Sequence, residues 1–237
     1  RRGVHRADGR GCAVKEISRP IARALVDHEA PDLGVEVLLP DDPRRLAVVL
    51  GMAAVHAVSG AGWAVEHVRE SVSCTLPGVG STALSLLEQV PTAGPVLAAV
   101  VKLLGIERPL VCLAPAAFAS GVELVATWRH ELGHVGQLSR GGVPWCVAYA
   151  LGLVRGPAEA QCYGSDIAFR VAWGGARIDD AEADTLRALE GYRLDADQLA
   201  TARGILRSHA ETLRLGGDPG GILAETEAAL VRLGWQS

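Results

Sequence analysis

The spacing of apolar residues along the chain predicts many short helices and two strands. Residues 33–39 largely alternate between apolar and polar positions, which is the pattern of a half-buried strand. Residues 109–114 form a short, continuously apolar run, which predicts a buried strand. In most other segments apolar residues recur every three or four positions, as they do on one face of a helix. The predicted fold class is therefore α+β, mainly α, with a small β-sheet.

Turn and capping residues set the ends of the predicted helices. Asp195 with Gln198 three residues later makes a capping-box-like start, and Asp218 followed by Pro219 starts the last helix. Pro157 suits the first turn of a helix that continues to about residue 173. In the first half of the chain, these signals predict helices over residues 17–29, 43–58, 62–72, 81–90 and 96–105.

Composition excludes several functional classes. The chain has 237 residues, a net charge of −4 and scattered arginines, so it lacks the basic patch of a nucleic-acid-binding protein. Its five cysteines are too few and too irregularly spaced for a disulfide scaffold or a cysteine-rich metal site. Their odd number favours a reducing compartment, so we expect a cytoplasmic location rather than secretion.

One uncharged stretch raises the question of a membrane span. Residues 46–65 carry no formal charge and are long enough to cross a bilayer. The stretch is rich in Ala, Gly and Val, however, and it contains His56 and a break at residues 59–62. Two buried helices are the favoured interpretation, and a membrane-associated protein is the alternative.

Residues 128–135 contain the motif His-Glu-x-x-His. On a helix, His130 and His134 lie one turn apart and project from the same face. Two imidazoles in that arrangement can hold one Zn²⁺ ion, and Glu131 then lies beside the open coordination position, where it can take a proton from water. The simpler interpretation is a surface helix with two solvated histidines.

The rest of this helix favours a buried position. Val125, Trp128, Leu132 and Val135 form an apolar stripe that lies nearly opposite the two histidines. The helix can therefore bury one face and present the histidines to a cleft. Gly133, between the histidines, allows another element to approach closely. The polar residues on the histidine side, which would either line the cleft or form a solvated face, are Glu123 and Thr127.

A hydrolytic zinc site needs a third protein ligand. A third histidine six residues after His134 is absent, because that position is Arg140. The next acidic residue after the motif is Glu159, which shares one face of the predicted helix with Tyr163 and Asp166. Glu159 and Asp166 are both candidates for the third ligand.

The motif with Glu159-Ala160 about two dozen residues later resembles the gluzincin class of metallopeptidases, within the zincin fold. The resemblance covers roughly residues 109–170 and implies that Zn²⁺ is held by His130, His134 and Glu159, with Glu131 as the general base. Two further roles are implied for polar residues on the second helix. Asp166 would orient a ligand histidine by accepting its second N–H, and Tyr163 would donate a hydrogen bond to a developing oxyanion, unless it is structural.

The resemblance implies a zinc-dependent peptidase that hydrolyses a peptide or protein substrate. The basic, Gly-rich composition of residues 1–17 predicts a flexible segment, and the charged, strongly helical pattern of residues 177–237 predicts a C-terminal extension. The resemblance places a zincin-like domain between them, over residues 18–176. It also suggests that the strand at 109–114 is an edge strand that pairs with extended substrate. The C-terminal helices are either an appendage to the catalytic core or a site for a protein partner.

A second functional class fits the same motif. Residues 130–137 match the string His-Glu-Leu-x-His-Val-x-Gln, which is frequent in proteins of phage, toxin and injection-particle gene sets. Such a protein would be a structural or interaction component of a larger assembly without turnover. The two hypotheses differ in whether Glu131 faces an open cleft or a partner's surface.

Overall fold

A computed structural model describes residues 16–50, 73–76, 108–192 and 194–236, together with isolated helical positions at 95, 98, 99 and 102. These residues are mainly helical and include a three-stranded sheet, so the predicted class, mainly α with a small sheet, is confirmed. The predicted helices at 62–72 and 81–90, and His56 and His67, lie outside the described residues.

The described elements follow one another in a simple order. The strands are β1 (Glu36–Leu38), β2 (Cys74–Leu76) and β3 (Leu110–Cys112). Short 3-10 turns cover Pro115–Phe118 and Pro219–Gly221, and residues 45–50 are helical. The longer helices are α1 (Arg19–Asp32), α2 (Gly121–Ala150), α3 (Arg155–Ala172), α4 (Ile178–Glu190), α5 (Ala196–Arg214) and α6 (Ile222–Arg232).

The sheet has the order β1-β3-β2. β3 pairs in parallel with β1 and antiparallel with β2. The buried strand predicted at 109–114 is confirmed, but the expectation that it is an edge strand is wrong, because its hydrogen-bonding groups face strands on both sides. β2, which the hydrophobic pattern did not reveal, lies beside β3 and contacts α2 through Thr75.

The apolar stripe of α2 packs against α1. Val125 and Trp128 are completely buried, and burying a side chain of this size contributes roughly 1.5–3 kcal/mol. The indole N–H of Trp128 donates to Glu29 on α1 at 2.9 Å, and Arg129 bonds the other oxygen of the same carboxylate at 2.8 Å. The face of α2 that carries His130 and His134 is thereby turned away from α1.

Helix α2 changes direction at Gly142. Its φ of 58° and ψ of −152° lie in a region that is almost restricted to glycine. The sequence predicts that the helix ends at residues 139–142, whereas the chain turns there and continues as a helix to Ala150. Pro144 can start the second part, because a proline is tolerated in the first turn of a helix.

Glycines allow α3 to pack closely on both sides. A Cβ atom on Gly133 of α2 would lie 2.8 Å from the Cys162 sulfur of α3, and one on Gly164 of α3 would lie 2.7 Å from the His209 ring of α5. The close approach predicted for Gly133 is therefore that of α3, the helix that carries Glu159.

Helices of the C-terminal segment share the core of the preceding chain. Leu230 of α6 and Trp235 belong to the same buried cluster as Leu25 of α1. The Trp235 indole donates to the Glu16 carbonyl at 3.2 Å, and Ile17, predicted to end a flexible segment, is buried in that cluster. The boundary at residue 177 marks a change in composition, and the division into domains stays a prediction.

Among the described residues, no helix combines the length and apolar character needed to cross a membrane. Most of the uncharged stretch at 46–65 lies outside these residues, and its first residues, 46–50, are helical.

Candidate metal centre

Two helices bring three predicted ligands together. Nε2 of His130 lies 3.5 Å from Oε2 of Glu159, and Nε2 of His134 lies 3.4 Å from Oε1 of the same carboxylate. One possible ligand atom from each of the three residues lies within 4.8 Å of the other two, and all three residues are buried. The histidines share a face of α2 as their spacing predicted, while Glu159 reaches them because α3 packs against that face.

The other nitrogen of each imidazole has its own partner. Nδ1 of His130 lies 2.7 Å from Oδ2 of Asp166, and Nδ1 of His134 lies 3.0 Å from Oε1 of Gln137. Both acceptors favour a proton on Nδ1, which leaves the two Nε2 atoms free as ligands towards Glu159. Asp166 lies behind His130 rather than among the ligand atoms, so the geometry favours Glu159 over Asp166 as third ligand.

Sequence reasoning assigned no role to Gln137. Its amide nitrogen donates to the Ala158 carbonyl at 3.0 Å and to Gln161 at 3.2 Å, so its oxygen is held towards His134. Its position three residues after His134, on the same side of α2, is the signal that could have indicated this contact. Gln137 therefore links the orientation of His134 to the start of α3.

Ion pairing dominates the protonation of the three candidate ligands. Burial lowers the pKa of His130, but Asp166 and Glu159 outweigh it and raise the pKa well above its usual value. Burial opposes protonation of His134 too, yet Cys162 and Glu159 raise its pKa in the same way. Burial raises the pKa of Glu159, but the two histidines outweigh it and leave the pKa well below its usual value. In the absence of a metal ion, the carboxylate is therefore ionised between two histidinium groups.

Glu131 lies next to this cluster and is tied to the sheet. The hydroxyl of Thr75 on β2 donates to Oε2 of Glu131 at 2.7 Å and approaches its backbone carbonyl at 3.2 Å. Burial raises the pKa of Glu131, while His130, His134 and the Thr75 hydroxyl act in the opposite direction; the net shift is upwards. A carboxylate with a raised pKa is better matched to proton transfer near neutral pH.

The donor set fits a zinc ion. Two imidazole nitrogens and one carboxylate oxygen are ligands that catalytic zinc accepts, with a fourth position for water or substrate. Oε2 of Glu159 is buried and makes no hydrogen bond to any described residue. A buried carboxylate oxygen that makes no hydrogen bond is costly, so a cation bound between this oxygen and the imidazole nitrogens would stabilise the site.

A cleft of about 530 Å³ opens beside His130 and Glu131. The two polar residues predicted on the histidine side, Glu123 and Thr127, line it, and its far wall comes from α4 and the turn at residues 191–192. Glu131 therefore borders a cavity large enough to admit a peptide segment.

Tyr163 also lines this cleft. Its ring meets the His130 ring edge-to-face with the centroids 4.7 Å apart, and its hydroxyl forms a hydrogen bond with Tyr192. Burial, followed by the charges of Glu159 and Asp166, raises the pKa of Tyr163, so the hydroxyl is protonated at neutral pH and can donate.

The part of α2 beyond Gly142 closes the other side of the site. Trp145 stacks on Tyr149 with the centroids 5.1 Å apart, and the Trp145 ring lies 6.5 Å from His134. The Tyr149 hydroxyl donates to Oε1 of Glu159. Burial, followed by the charge of Glu159, raises the pKa of Tyr149, so this proton is retained. This part of α2 therefore supplies a direct contact to a candidate ligand.

Comparisons with protein-family models, curated proteins and solved structures found no match to this chain. The case for the site therefore rests on its own geometry. That geometry brings together all the predicted metal-site and catalytic residues: His130, Glu131, His134, Glu159, Tyr163 and Asp166. Zinc binding and the catalytic roles of these residues stay predictions.

Proposed function

We propose that this protein is a zinc-dependent metallopeptidase of the gluzincin type. The observation that carries the proposal is the convergence of two imidazole Nε2 atoms on the Glu159 carboxylate, with Glu131 beside them at a cleft. A surface helix with solvated histidines would not bury both rings or supply each Nδ1 with an acceptor. These features are what a hydrolytic zinc site requires from its protein.

In this mechanism His130, His134 and Glu159 hold the metal, and Asp166 and Gln137 fix the orientation of the two imidazoles. When bound, zinc supplies Lewis acidity that polarises a carbonyl group and makes water more acidic. Glu131 accepts the proton of the attacking water and passes it to the leaving amine nitrogen. The Thr75 hydroxyl holds one oxygen of Glu131, so the other oxygen is available for this transfer.

Tyr163 is the proposed donor to the oxygen of the attacked carbonyl. Its hydroxyl is protonated at neutral pH, and its ring lies against His130 at the edge of the cleft. A donor placed before the reaction stabilises negative charge as that charge develops, which is the main catalytic effect of an oxyanion hole.

The alternative, a structural component without turnover, requires Glu131 to be covered by protein. What supports the peptidase is that Glu131 borders a cleft and has a raised pKa. A carboxylate retained only for packing would gain nothing from these two properties.

The proposal is tested by measuring zinc and hydrolysis in the same preparations. We expect about one zinc per chain by elemental mass spectrometry and cleavage of a peptide library that mass spectrometry can follow. Glu131→Gln should keep the zinc and lower turnover by at least about 100-fold, the lower end of a general base's contribution. Glu225→Gln, at an exposed carboxylate on α6 that does not line the cleft, is the control and should retain turnover. Absence of zinc after reconstitution, or an active Glu131→Gln variant, would refute the proposal.

A further inference from the structure

The two oxygens of Glu159 have different surroundings. Oε1 accepts the hydrogen bond of Tyr149, whereas Oε2 is buried and makes no hydrogen bond to any described residue. Oε2 is also the oxygen on the side of His130. The Tyr149 hydroxyl therefore holds Oε1, the oxygen nearer His134, and Oε2 faces His130 without a hydrogen bond.

The Tyr149 hydroxyl is itself held firmly. Its ring stacks on Trp145 one turn earlier, at an interplanar angle of 25°. The guanidinium of Arg155 lies 5.4 Å from the ring centroid, and its Nη2 donates to the Tyr149 carbonyl at 3.2 Å. The turn at Gly142 directs this part of the helix back towards α3. The turn at Gly142 and these contacts together place the Tyr149 hydroxyl against Glu159.

We propose that Tyr149 is a positioning residue that makes Glu159 a one-oxygen metal ligand. The inference rests on the zinc site of the proposed function. With Oε1 engaged by the phenol, Glu159 would offer only Oε2 to a bound metal and would leave a fourth coordination position for water. Without that hydrogen bond, the carboxylate can rotate to bind through both oxygens and compete with water for that position.

The test removes a single oxygen atom. Tyr149→Phe keeps the stacked ring, so the chain should fold, and circular dichroism of the metal-free protein checks that it does. We expect zinc affinity, measured by competition with a chromophoric chelator, to fall about 10- to 100-fold, as it does when partners of ligand side chains are removed. X-ray absorption of the zinc-loaded variant should show an additional oxygen neighbour.

A matched tyrosine and a second variant make the test specific. Tyr192→Phe removes a hydroxyl that bonds Tyr163 rather than Glu159, so it should change zinc affinity less than Tyr149→Phe and add no oxygen neighbour. Trp145→Leu keeps the Tyr149 hydroxyl but removes its stacking partner, so it should weaken zinc binding by a smaller factor. If Tyr149→Phe fails to fold, this second variant decides the question alone.

Each outcome separates this inference from the proposed function. Unchanged zinc affinity and coordination in Tyr149→Phe would overturn the positioning role and leave the peptidase proposal intact. A phenolate-to-copper absorption band in the Cu²⁺-loaded protein that disappears in Tyr149→Phe would also overturn it, because Tyr149 would then be a ligand. Normal zinc binding without hydrolysis in the wild type would refute the peptidase and leave the positioning role standing. A wild type that binds no zinc would refute both.

Discussion

At the scale of single residues, the site depends on which partner each polar atom contacts. Each histidine has one nitrogen facing Glu159 and the other facing an acceptor, Asp166 or Gln137. Such acceptors keep the proton on Nδ1 and so choose which nitrogen is available for metal. Asp166 lies two turns from Glu159 along α3. It contacts His130 because that ring points across the gap between α2 and α3.

Protons and zinc compete for the same nitrogens, which predicts a pH effect. Burial lowers the pKa of both histidines, but Asp166 and Glu159 raise the pKa of His130, and Cys162 and Glu159 raise the pKa of His134. The net shift is upwards for both rings. The metal-free protein therefore holds protons on these rings at pH 7 that zinc must displace. We expect release of about one to two protons per zinc and an affinity that rises with pH through these raised pKa values. Calorimetry in buffers of different ionisation enthalpy measures the release. Proton-independent binding at pH 7 would contradict this picture.

At the scale of elements, the site depends on how closely α3 approaches α2. Gly133 lies one residue from His134, and the sulfur of Cys162 occupies the space that a side chain there would need. Cys162 is also 3.5 Å from Nδ1 of His134, so the packing contact and the candidate ligand are adjacent. A shift of α3 at this point would move Glu159 away from the histidines.

A pair of glycine substitutions tests this packing. Gly133→Ala should destabilise the protein by about 1–3 kcal/mol, because the new Cβ would overlap Cys162, and it should weaken zinc binding. Gly204→Ala on α5 is the matched control: nothing lies within 4 Å of the new Cβ, so helix propensity should stabilise the protein by roughly 0.5–1 kcal/mol. Urea unfolding measures both.

The same contact can be relieved from the other side. Cys162→Ala removes the sulfur atom, so in the Gly133→Ala background it should restore part of the lost stability and zinc affinity. Independent, additive effects of the two substitutions would show that the two helices do not compete for this space.

At the scale of the whole molecule, the two ends of the described chain meet. Trp235 packs in the cluster that contains Leu25 and Trp128, and its indole N–H bonds to the carbonyl of Glu16. The core that backs α2 therefore includes residues from both ends of the described chain. Helix α5 covers the opposite side of α3, so the helix that carries Glu159 is supported along its length.

Removing the terminal contact tests whether the C-terminal helices are integral to this core. Trp235→Ala should cost about 3–5 kcal/mol of unfolding free energy, as for other buried aromatic residues replaced by alanine. The control Leu215→Ala changes a side chain that is 79% exposed and should have little effect. Zinc affinity of the folded Trp235→Ala protein should stay unchanged. A loss below about 1 kcal/mol would indicate that residues 177–237 fold as an independent extension.

Much of the candidate site follows from local sequence. The spacing of His130 and His134 sets them on one face of a helix, and the apolar stripe that begins at Val125 determines which face is buried. The face shared by Glu159, Tyr163 and Asp166 follows from the same geometry. Capping is local too: the side chain of Asp195 accepts the backbone N–H of Gln198, as their spacing predicted.

Only the tertiary structure decided which elements meet. Thr75 contacts Glu131 across 56 residues of sequence, and it lies on a strand too short for its hydrophobic pattern to reveal. The central position of β3 in the sheet and the contact of Tyr149 with Glu159 depend on neighbours that periodicity does not specify. Periodicity sets the direction of a side chain relative to its own helix or strand, whereas the partner it finds depends on how separate elements pack.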